Sequence, residues 1–148
     1  MMHDVHKALY AFWSRFDVPA YVDGLVPPKM DAAGNPMTNK DGDMIPVDPP
    51  YITFEVANGE MMTTAQLAAM CWHMARNTDG ENVQLERALL LDKIAEAIPE
   101  AGLQIGLDGG GYIVLRRNGG SWQSYYNPVD EPSVIAGRIS YAVTYYAM

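Results

Sequence analysis

The sequence predicts a single α+β domain over residues 1–148, with two helices on one face of a mostly antiparallel sheet of about four to five strands. Two segments repeat their apolar residues at helical spacing, one near the start of the chain and one at 81–98. Several shorter segments alternate apolar and polar residues, and Gly-rich turns separate them. Hairpin-linked strands with helices laid on one side are typical of this class.

The first predicted helix covers residues 3–16. Its apolar stripe consists of Val5, Leu9, Phe12 and Phe16. Asp4 lies near the start, where a negative charge complements the helix dipole, and Pro19 ends the segment. The stripe predicts packing against a core rather than a ligand site.

A proline-rich segment (27–49) follows, and it is predicted to form a protruding loop or hairpin arm. Proline removes backbone donors and fixes φ, so little regular structure can form here. A turn at "NKDGD" suits Asp-Gly. Asn39, Asp41 and Asp43 alternate as in a calcium loop, but Met44 and Pro50 occupy the positions of the required glycine and acid, so a polar turn is predicted.

The stretch "PPYITFEV" predicts the first strand, at 51–57. Ile52, Phe54 and Val56 alternate with Tyr51, Thr53 and Glu55, and the second set is predicted to be the outward row. For 63–76, "TTAQLAAMCWHMAR", the pattern fits a helix and a strand alike. Alanine and methionine favour a helix, whereas the preceding "ANGE" favours a hairpin turn and a paired strand.

The second predicted helix covers 81–98, with cap candidates at Asn77, Thr78 and Asp79, and Pro99 ends it. Its predicted buried face consists of Leu85, Ala88, Leu91, Ile94, Ala95 and Ile98. "LDGGG" and "NGG" then predict turns around the strands "YIVLRR" and "SWQSYY". In the closing "GRISYAVTYY" the residues that share one face are Ile139, Tyr141, Val143 and Tyr145. No internal repeat is evident.

Composition and charge limit the function classes. The net charge is −8 and the ten Lys and Arg residues are spread along the chain, which disfavours specific nucleic-acid binding. The sole basic doublet, Arg116–Arg117, is predicted to be the solvated end of a strand. An acidic wall past which DNA slides remains compatible with this charge. Cys71 is the only cysteine, so no internal disulfide can form. The start does not resemble a signal peptide, and no apolar run is long enough to span a bilayer, so a soluble intracellular product without membrane contact is expected.

Few residues suggest catalysis. Cys71 and His73 would share a strand face, but they lie among apolar residues without a third orienting group, so a core position is predicted. "LDGGGY" lacks the Lys and helix of a phosphate loop. Neither His3 with His6 nor the loop pair Asp130 and Glu131 completes a site. We therefore expect no enzyme activity, no metal and no cofactor.

Several segments together resemble tail-completion proteins of long-tailed bacteriophages and prophages. They are "DVHKALYAFWSRF", "PPYITFEV", "TTAQLAAMCWHMAR", "LLLDKIAEAIPEAG", "GGGYIVLRRNGGSWQSYYNP" and "GRISYAVTYYAM". The resemblance covers nearly the whole chain apart from the proline-rich segment. It implies an α+β fold, a strand at 63–76 that forms a hairpin with 51–57, and assembly into a ring, taken to be hexameric.

Such a ring would cap the finished tail tube and offer a surface to the head-side connector. The implied partners are therefore other copies of this chain, the tail-tube protein and the connector protein, in a virion tail or neck made in the bacterial cytoplasm. Tyrosines cluster in the last quarter, where they fit a sheet core and a protein interface equally well. If the final strand lies at a sheet edge, it could pair with a neighbouring subunit. Candidate subunit contacts are Tyr51, Glu55, Asp41, Asp43, Met44, Tyr141, Tyr145 and Tyr146.

Three alternatives remain at this point. The first is another neck component, either a head-tail adaptor or a minor capsid protein. The second is a small enzyme that uses Cys71 and His73, which the absence of an orienting group disfavours. The third is a monomeric adaptor that binds peptides by strand addition at an exposed sheet edge.

Overall fold

The computed structural model describes residues 2–56, 64–76, 79–81 and 83–147. Two helices and seven strands lie within these ranges. In chain order they are α1 (Met2–Trp13), β1 (Ala20–Val22), β2 (Tyr51–Phe54), β3 (Ala65–Met74), α2 (Gln84–Ala97), β4 (Leu103–Gly106), β5 (Tyr112–Arg117), β6 (Gln123–Tyr126) and β7 (Val134–Tyr146). The α+β class with two helices is confirmed.

The sheet differs from the prediction in size and in strand direction. Its order is β1-β2-β3-β7-β5-β4, with β6 paired to β7 beside this path. The pairing of β1 with β2 is parallel and the other pairings are antiparallel, so the sheet is mixed and has seven strands instead of four or five. The strands that the prediction lacks are β1, with three residues, and β4, with four. Alternation of apolar and polar residues cannot be recognised over so few positions.

The segment that the sequence pattern left open is a strand, as the resemblance implied. β3 pairs antiparallel with β2, placing Cys71 opposite Ile52, and with β7 along its whole length. The propensity of its alanines and methionines for helix is overridden because both edges of β3 are paired. Thr63 and the predicted turn at 57–60 lie outside the described residues.

The final strand, β7, is central, so the edge position on which pairing with a neighbouring subunit depended is not present. β3 occupies one edge, and β5 and β6 follow each other along the other. Residues 118–122 form the predicted turn between β5 and β6 and lie opposite Ser140, whose N–H donates to Trp122 O at 2.7 Å and whose carbonyl accepts from Asn118 N–H at 3.0 Å. With this turn between them, β5 and β6 both pair with the one long strand β7.

Both helices pack on the same face of the sheet and share one core. The α1 stripe is buried as predicted, and Trp13 joins it, with its ring 5.3 Å from that of Tyr141 and 6.5 Å from that of Phe54. Among the described residues, no helix is long and apolar enough to cross a membrane.

The buried side of α2 was predicted only in part. Leu91, Ile94 and Ile98 are buried as expected, but Leu85 is 78% exposed, while Arg87 is buried. Leu91 lies over Gly137 of β7, where a Cβ atom would come within 2.8 Å of its Cδ2. The glycine therefore creates the space into which this side of the helix packs. Of the predicted cap residues, Asn77 and Thr78 lie outside the described residues, and the helix start has no side-chain cap hydrogen bond.

The proline-rich segment contains a three-way junction built on an eight-residue spacing. Backbone hydrogen bonds run in a cycle: Lys29 N–H donates to Ile45 O (2.7 Å), Met37 N–H to Lys29 O (2.8 Å) and Ile45 N–H to Met37 O (2.9 Å). Isolated bridges extend outward from this cycle at Pro28–Pro46, Met30–Pro36 and Thr38–Met44. The expectation of no internal repeat is therefore wrong for this segment.

Two matching turns close the junction. In the first, Asp31 Oδ1 accepts from the N–H groups of Ala33 and Asn35, both at 2.9 Å. In the second, at the predicted "NKDGD" turn, Asn39 Oδ1 accepts from Asp41 N–H at 2.9 Å and Asp43 N–H at 3.0 Å. Each is an Asx turn, which this residue type favours. The segment is thus held by its own backbone and side-chain hydrogen bonds.

Candidate functional site

The sheet face opposite the two helices, here called the outer face, is unusually apolar and aromatic at one end. Tyr51 and Trp72 lie opposite each other there, and Tyr126 packs edge-on to Trp72 with ring centroids 6.4 Å apart. Trp72 Nε1 donates to Thr53 Oγ1 at 3.1 Å, so the polar atom of the indole is satisfied within the sheet. The ring of Tyr126 is exposed and that of Trp72 is half-buried, whereas Tyr51 is buried.

A cleft of about 420 Å³ lies between this aromatic end and the proline-rich segment. Its walls comprise Asn39, Met44, Ile45, Pro46, Val47, Asp48, Pro49, Tyr51, Trp72, Met74, Glu131, Ser133 and Val134. Two carboxylates belong to it. Asp48 pairs with Lys29 at 3.2 Å, and Glu131 accepts from Ser133 Oγ at 3.2 Å. Most of its surface is apolar, which suits a protein segment better than an ion.

The outer face becomes basic further along the sheet. Arg138 of β7 and Arg116 of β5 are both exposed there, and Arg116 lies opposite Ala142. Within the described residues, neither arginine forms an ion pair or a hydrogen bond. The strands themselves place no Asp or Glu on this face, and the exposed Glu55, one residue past β2, lies on its far side, where its N–H donates to Ala68 O. The part of the outer face formed by β7 and β5 is therefore locally positive in a chain of net charge −8.

The predicted subunit-contact tyrosines separate into buried and exposed groups. Tyr141 is fully buried against Trp13, and its hydroxyl donates to Glu55 O at 3.0 Å, so its ring is not available at the surface. Tyr51 lies on the outer face as predicted, but it is only 9% exposed, and the ring of Tyr21 packs against it with centroids 5.8 Å apart. Burial raises the pKa of both hydroxyls above the ordinary value.

The remaining predicted contacts lie nearer the surface. Tyr146 is exposed on the outer face and stacks on Tyr112, with ring centroids 5.0 Å apart, whereas Tyr145 is half-buried on the helix face. Glu55 is exposed just after β2. Asp41, Asp43 and Met44 are exposed in and beside the second turn of the proline-rich segment. The structure does not bring these residues into one patch, since they divide between the proline-rich segment, the end of β2 and the end of β7.

Cys71 and His73 occupy the helix face of β3, as the strand interpretation predicted. Cys71 is fully buried in the core, and burial raises the pKa of its thiol to about 12. His73 is buried as well. Desolvation lowers the pKa of its imidazole, the nearby carboxylate of Glu86 opposes this shift, and Arg87 adds to it. A thiol with a raised pKa has little thiolate at neutral pH, which is the opposite of what a nucleophilic pair needs.

We predict that Cys71 resists alkylation in the folded protein. With iodoacetamide at pH 8, the native chain should stay unlabelled and label fully only in denaturant, because the thiol is buried and neutral. A Ser14→Cys variant supplies the control, since position 14 is exposed and its thiol should label at once in the same chain. Mass spectrometry measures the number of alkylated thiols in each chain over time. Native labelling of Cys71 as fast as that of Cys introduced at 14 would contradict its core position.

Other candidate motifs have structural roles. "LDGGG" forms the predicted turn, with Leu107 N–H donating to Gly111 O at 3.1 Å, and a Cβ atom at Gly111 would lie 2.6 Å from Tyr146 O. The side-chain oxygen of Asn39 accepts hydrogen bonds from two N–H groups within its own turn. Within the described ranges, no three or more His, Cys, Asp and Glu side chains are grouped so that they could hold a metal ion.

Sequence reasoning missed the role of Arg117. The sequence predicts a solvated strand end for the doublet with Arg116, yet Arg117 lies on the helix face opposite Tyr141. Its Nε donates to Ile98 O at 2.7 Å and its Nη2 to Ala95 O at 3.0 Å, and its guanidinium stacks over Trp122 at 4.7 Å. These are carbonyls at the C-terminal end of α2, where a cation is favourable. The alternation of "YIVLRR" contained this signal, because it assigns the two arginines to opposite faces.

Comparison with known proteins identifies no relative: no family model, no curated protein and no solved structure matches this chain.

Proposed function

We propose that this chain is a virion structural protein of a phage or prophage that completes the tail by ring assembly and joins it to the head-side connector. The proposal starts from the sequence resemblance, and one structural observation supports it most. The segments "PPYITFEV" and "TTAQLAAMCWHMAR", which the resemblance makes a hairpin, do pair antiparallel as β2 and β3. The residue pattern of 63–76 fits a helix as well as a strand, so the pattern alone does not predict this pairing.

Ring assembly requires two different surfaces on each protomer, because a head-to-tail contact must repeat around the ring. The chain has more than one exposed candidate. They include the turns of the proline-rich segment with Asp41, Asp43 and Met44, the end of β2 at Glu55, and the outer face with Tyr146. Buried Tyr141 is not among them, and Tyr51 contributes only where it lines the cleft.

The test is a tube-length assay. Tail-tube protein from the same phage or prophage should polymerise into tubes of open-ended length, and adding this chain should stop their growth while it binds at one end. Bovine serum albumin at the same concentration serves as the control. Tubes that grow to the same length with this chain present, and that carry none of it, would contradict the proposal. Binding to the connector without binding to tubes would instead indicate a head-side adaptor.

A further inference from the structure

The exposed side of α2 carries a stripe that is unusual for a solvated helix. Leu85 is 78% exposed and Leu89 is 61% exposed, and the exposed acids Asp92 and Glu96 continue the same line. The steps of four, three and four residues keep all four side chains on one helix face. At about 1.5 Å per residue, the stripe is roughly 16 Å long, with its apolar half first and its acidic half second. The exposed Lys93 flanks the acidic half and is paired with Asp17 of its own chain at 3.9 Å.

Along the outer face of the sheet, an apolar end is followed by basic residues, which complements the order of apolar and acidic residues in the α2 stripe. At its first end, Trp72 and Tyr126 flank β7 at Ala136, where the surface is apolar and aromatic. Arg138 follows two residues further along β7, and Arg116 lies at the level of Ala142. At about 3.3 Å per residue, the distance from Ala136 to Ala142 is roughly 20 Å. The outer face and the α2 stripe are therefore similar in length. The face has an apolar end followed by two cations, and the stripe has two leucines followed by two acids.

We propose that the outer face of one protomer receives the exposed α2 stripe of a second copy of this chain, an inference that rests on the ring assembly proposed above. Leu85 and Leu89 then pack on the aromatic end, and Asp92 and Glu96 face the two arginines. Neither arginine has an ion-pair partner within the described part of its own chain, so the contact supplies one. In this arrangement α2 lies between the sheet of its own protomer and the sheet of the neighbouring protomer.

Charge disfavours two symmetric alternatives to this contact. Two outer faces related by a two-fold axis parallel to β7 would bring arginines towards arginines, and two α2 stripes related by a two-fold axis parallel to α2 would bring acids towards acids. Both arrangements are repulsive. An outer face against a stripe is attractive, and it uses different surfaces on the two copies. Such a contact repeats head to tail and closes into a ring when its rotation permits.

Two charge-reversed variants test the inference. The sheet-reversed variant carries Arg116→Glu and Arg138→Glu, and the helix-reversed variant carries Asp92→Arg and Glu96→Arg. All four positions are exposed, so unchanged urea midpoints should show that each variant folds. By light scattering at low ionic strength, the wild-type chain should have an oligomeric mass that falls with added salt. Each variant alone should be monomeric, because its contact now joins like charges.

Mixing the two variants in equal amounts provides the matched control. Each contact between one variant and the other joins opposite charges, so the two variants should alternate around a ring with an even number of subunits, such as the expected hexamer, and the mass should return to the wild-type value. A general effect of altered charge predicts no such recovery, since every substitution is still present. The inference is overturned if the wild-type chain is monomeric at every concentration reached, if either variant keeps the wild-type mass, or if the mixture stays monomeric.

The outcome is separable from that of the proposed function. If the reversed variants associate normally while the wild-type chain stops tube growth, this contact is wrong and the tail role stands. If the mixture recovers the wild-type mass while tubes grow unchecked, the contact stands and the tail role is wrong. An outer face that instead binds a different acidic protein, while the chain itself remains monomeric, also overturns the inference.

Discussion

Replacing Trp13 with alanine should lower the free energy of unfolding by about 3–5 kcal/mol, the largest effect we expect from one substitution. Trp13 is fully buried and lies at the centre of the aromatic cluster beneath α1. Its ring contacts those of Phe12, Phe16, Phe54 and Tyr141, at centroid distances of 4.9, 6.1, 6.5 and 5.3 Å. Truncation removes a large apolar surface and leaves a cavity between helix and sheet. Urea unfolding monitored by circular dichroism measures the change.

The control for this substitution is Tyr10→Ala. Tyr10 is an aromatic residue of the same helix, but it is 53% exposed and touches the cluster only through a tilted contact with Phe54 at 6.3 Å. Its truncation should cost about 1 kcal/mol or less, since most of its surface already faces water. If Trp13→Ala costs no more than Tyr10→Ala, α1 does not pack on the sheet as described.

Arg117→Ala should lower the free energy of unfolding by about 2–4 kcal/mol, because hydrogen bonds from a charged donor contribute about 1.5–3 kcal/mol each. The substitution removes both bonds to the carbonyls of Ala95 and Ile98 and the stacking on Trp122. Arg117→Lys should recover only part of the loss, because an ammonium group cannot reproduce the planar fork that reaches two carbonyls.

The adjacent arginine supplies a matched control. Arg116 differs from Arg117 by one position, carries the same charge, and is exposed on the opposite face without an ion pair or hydrogen bond in the described part of the chain. Arg116→Ala should change the free energy of unfolding by about 0.5 kcal/mol or less. Measurements should be made at low protein concentration, so that self-association does not contribute. Equal losses at the two positions would contradict the assignment of Arg117 to the end of α2.

Elements with one buried side were predictable from the sequence. The α1 stripe and the alternation of β7 at Ile139, Tyr141 and Val143 appear as predicted, because burial on one face imposes a period on the residues. α2 was harder, since leucines occur on both of its sides. Leu85 and Leu89 are exposed while Leu90 and Leu91 are buried, and the space over Gly137 selects the buried side through a contact distant in sequence.

Other features depend on pairings that a single sequence does not show. The three-way junction is held by a cycle of backbone bonds, and the prolines and glycines around it leave no apolar period to detect. The basic part of the outer face was not predicted either. Arg116 and Arg138 are distant in sequence, and only the register that places Arg116 opposite Ala142 brings them to the same face. The candidate contact surface is therefore a product of topology rather than of a motif.

The most direct test of the central claim, that this chain completes a tail by forming a ring, is to image tube ends. Purified tail-tube protein from the same phage or prophage would be polymerised with and without this chain and examined by electron microscopy. We expect a ring of additional density at one end of each tube, repeated around the tube axis, and tubes of limited length. Tubes whose ends are identical with and without this chain would contradict the claim.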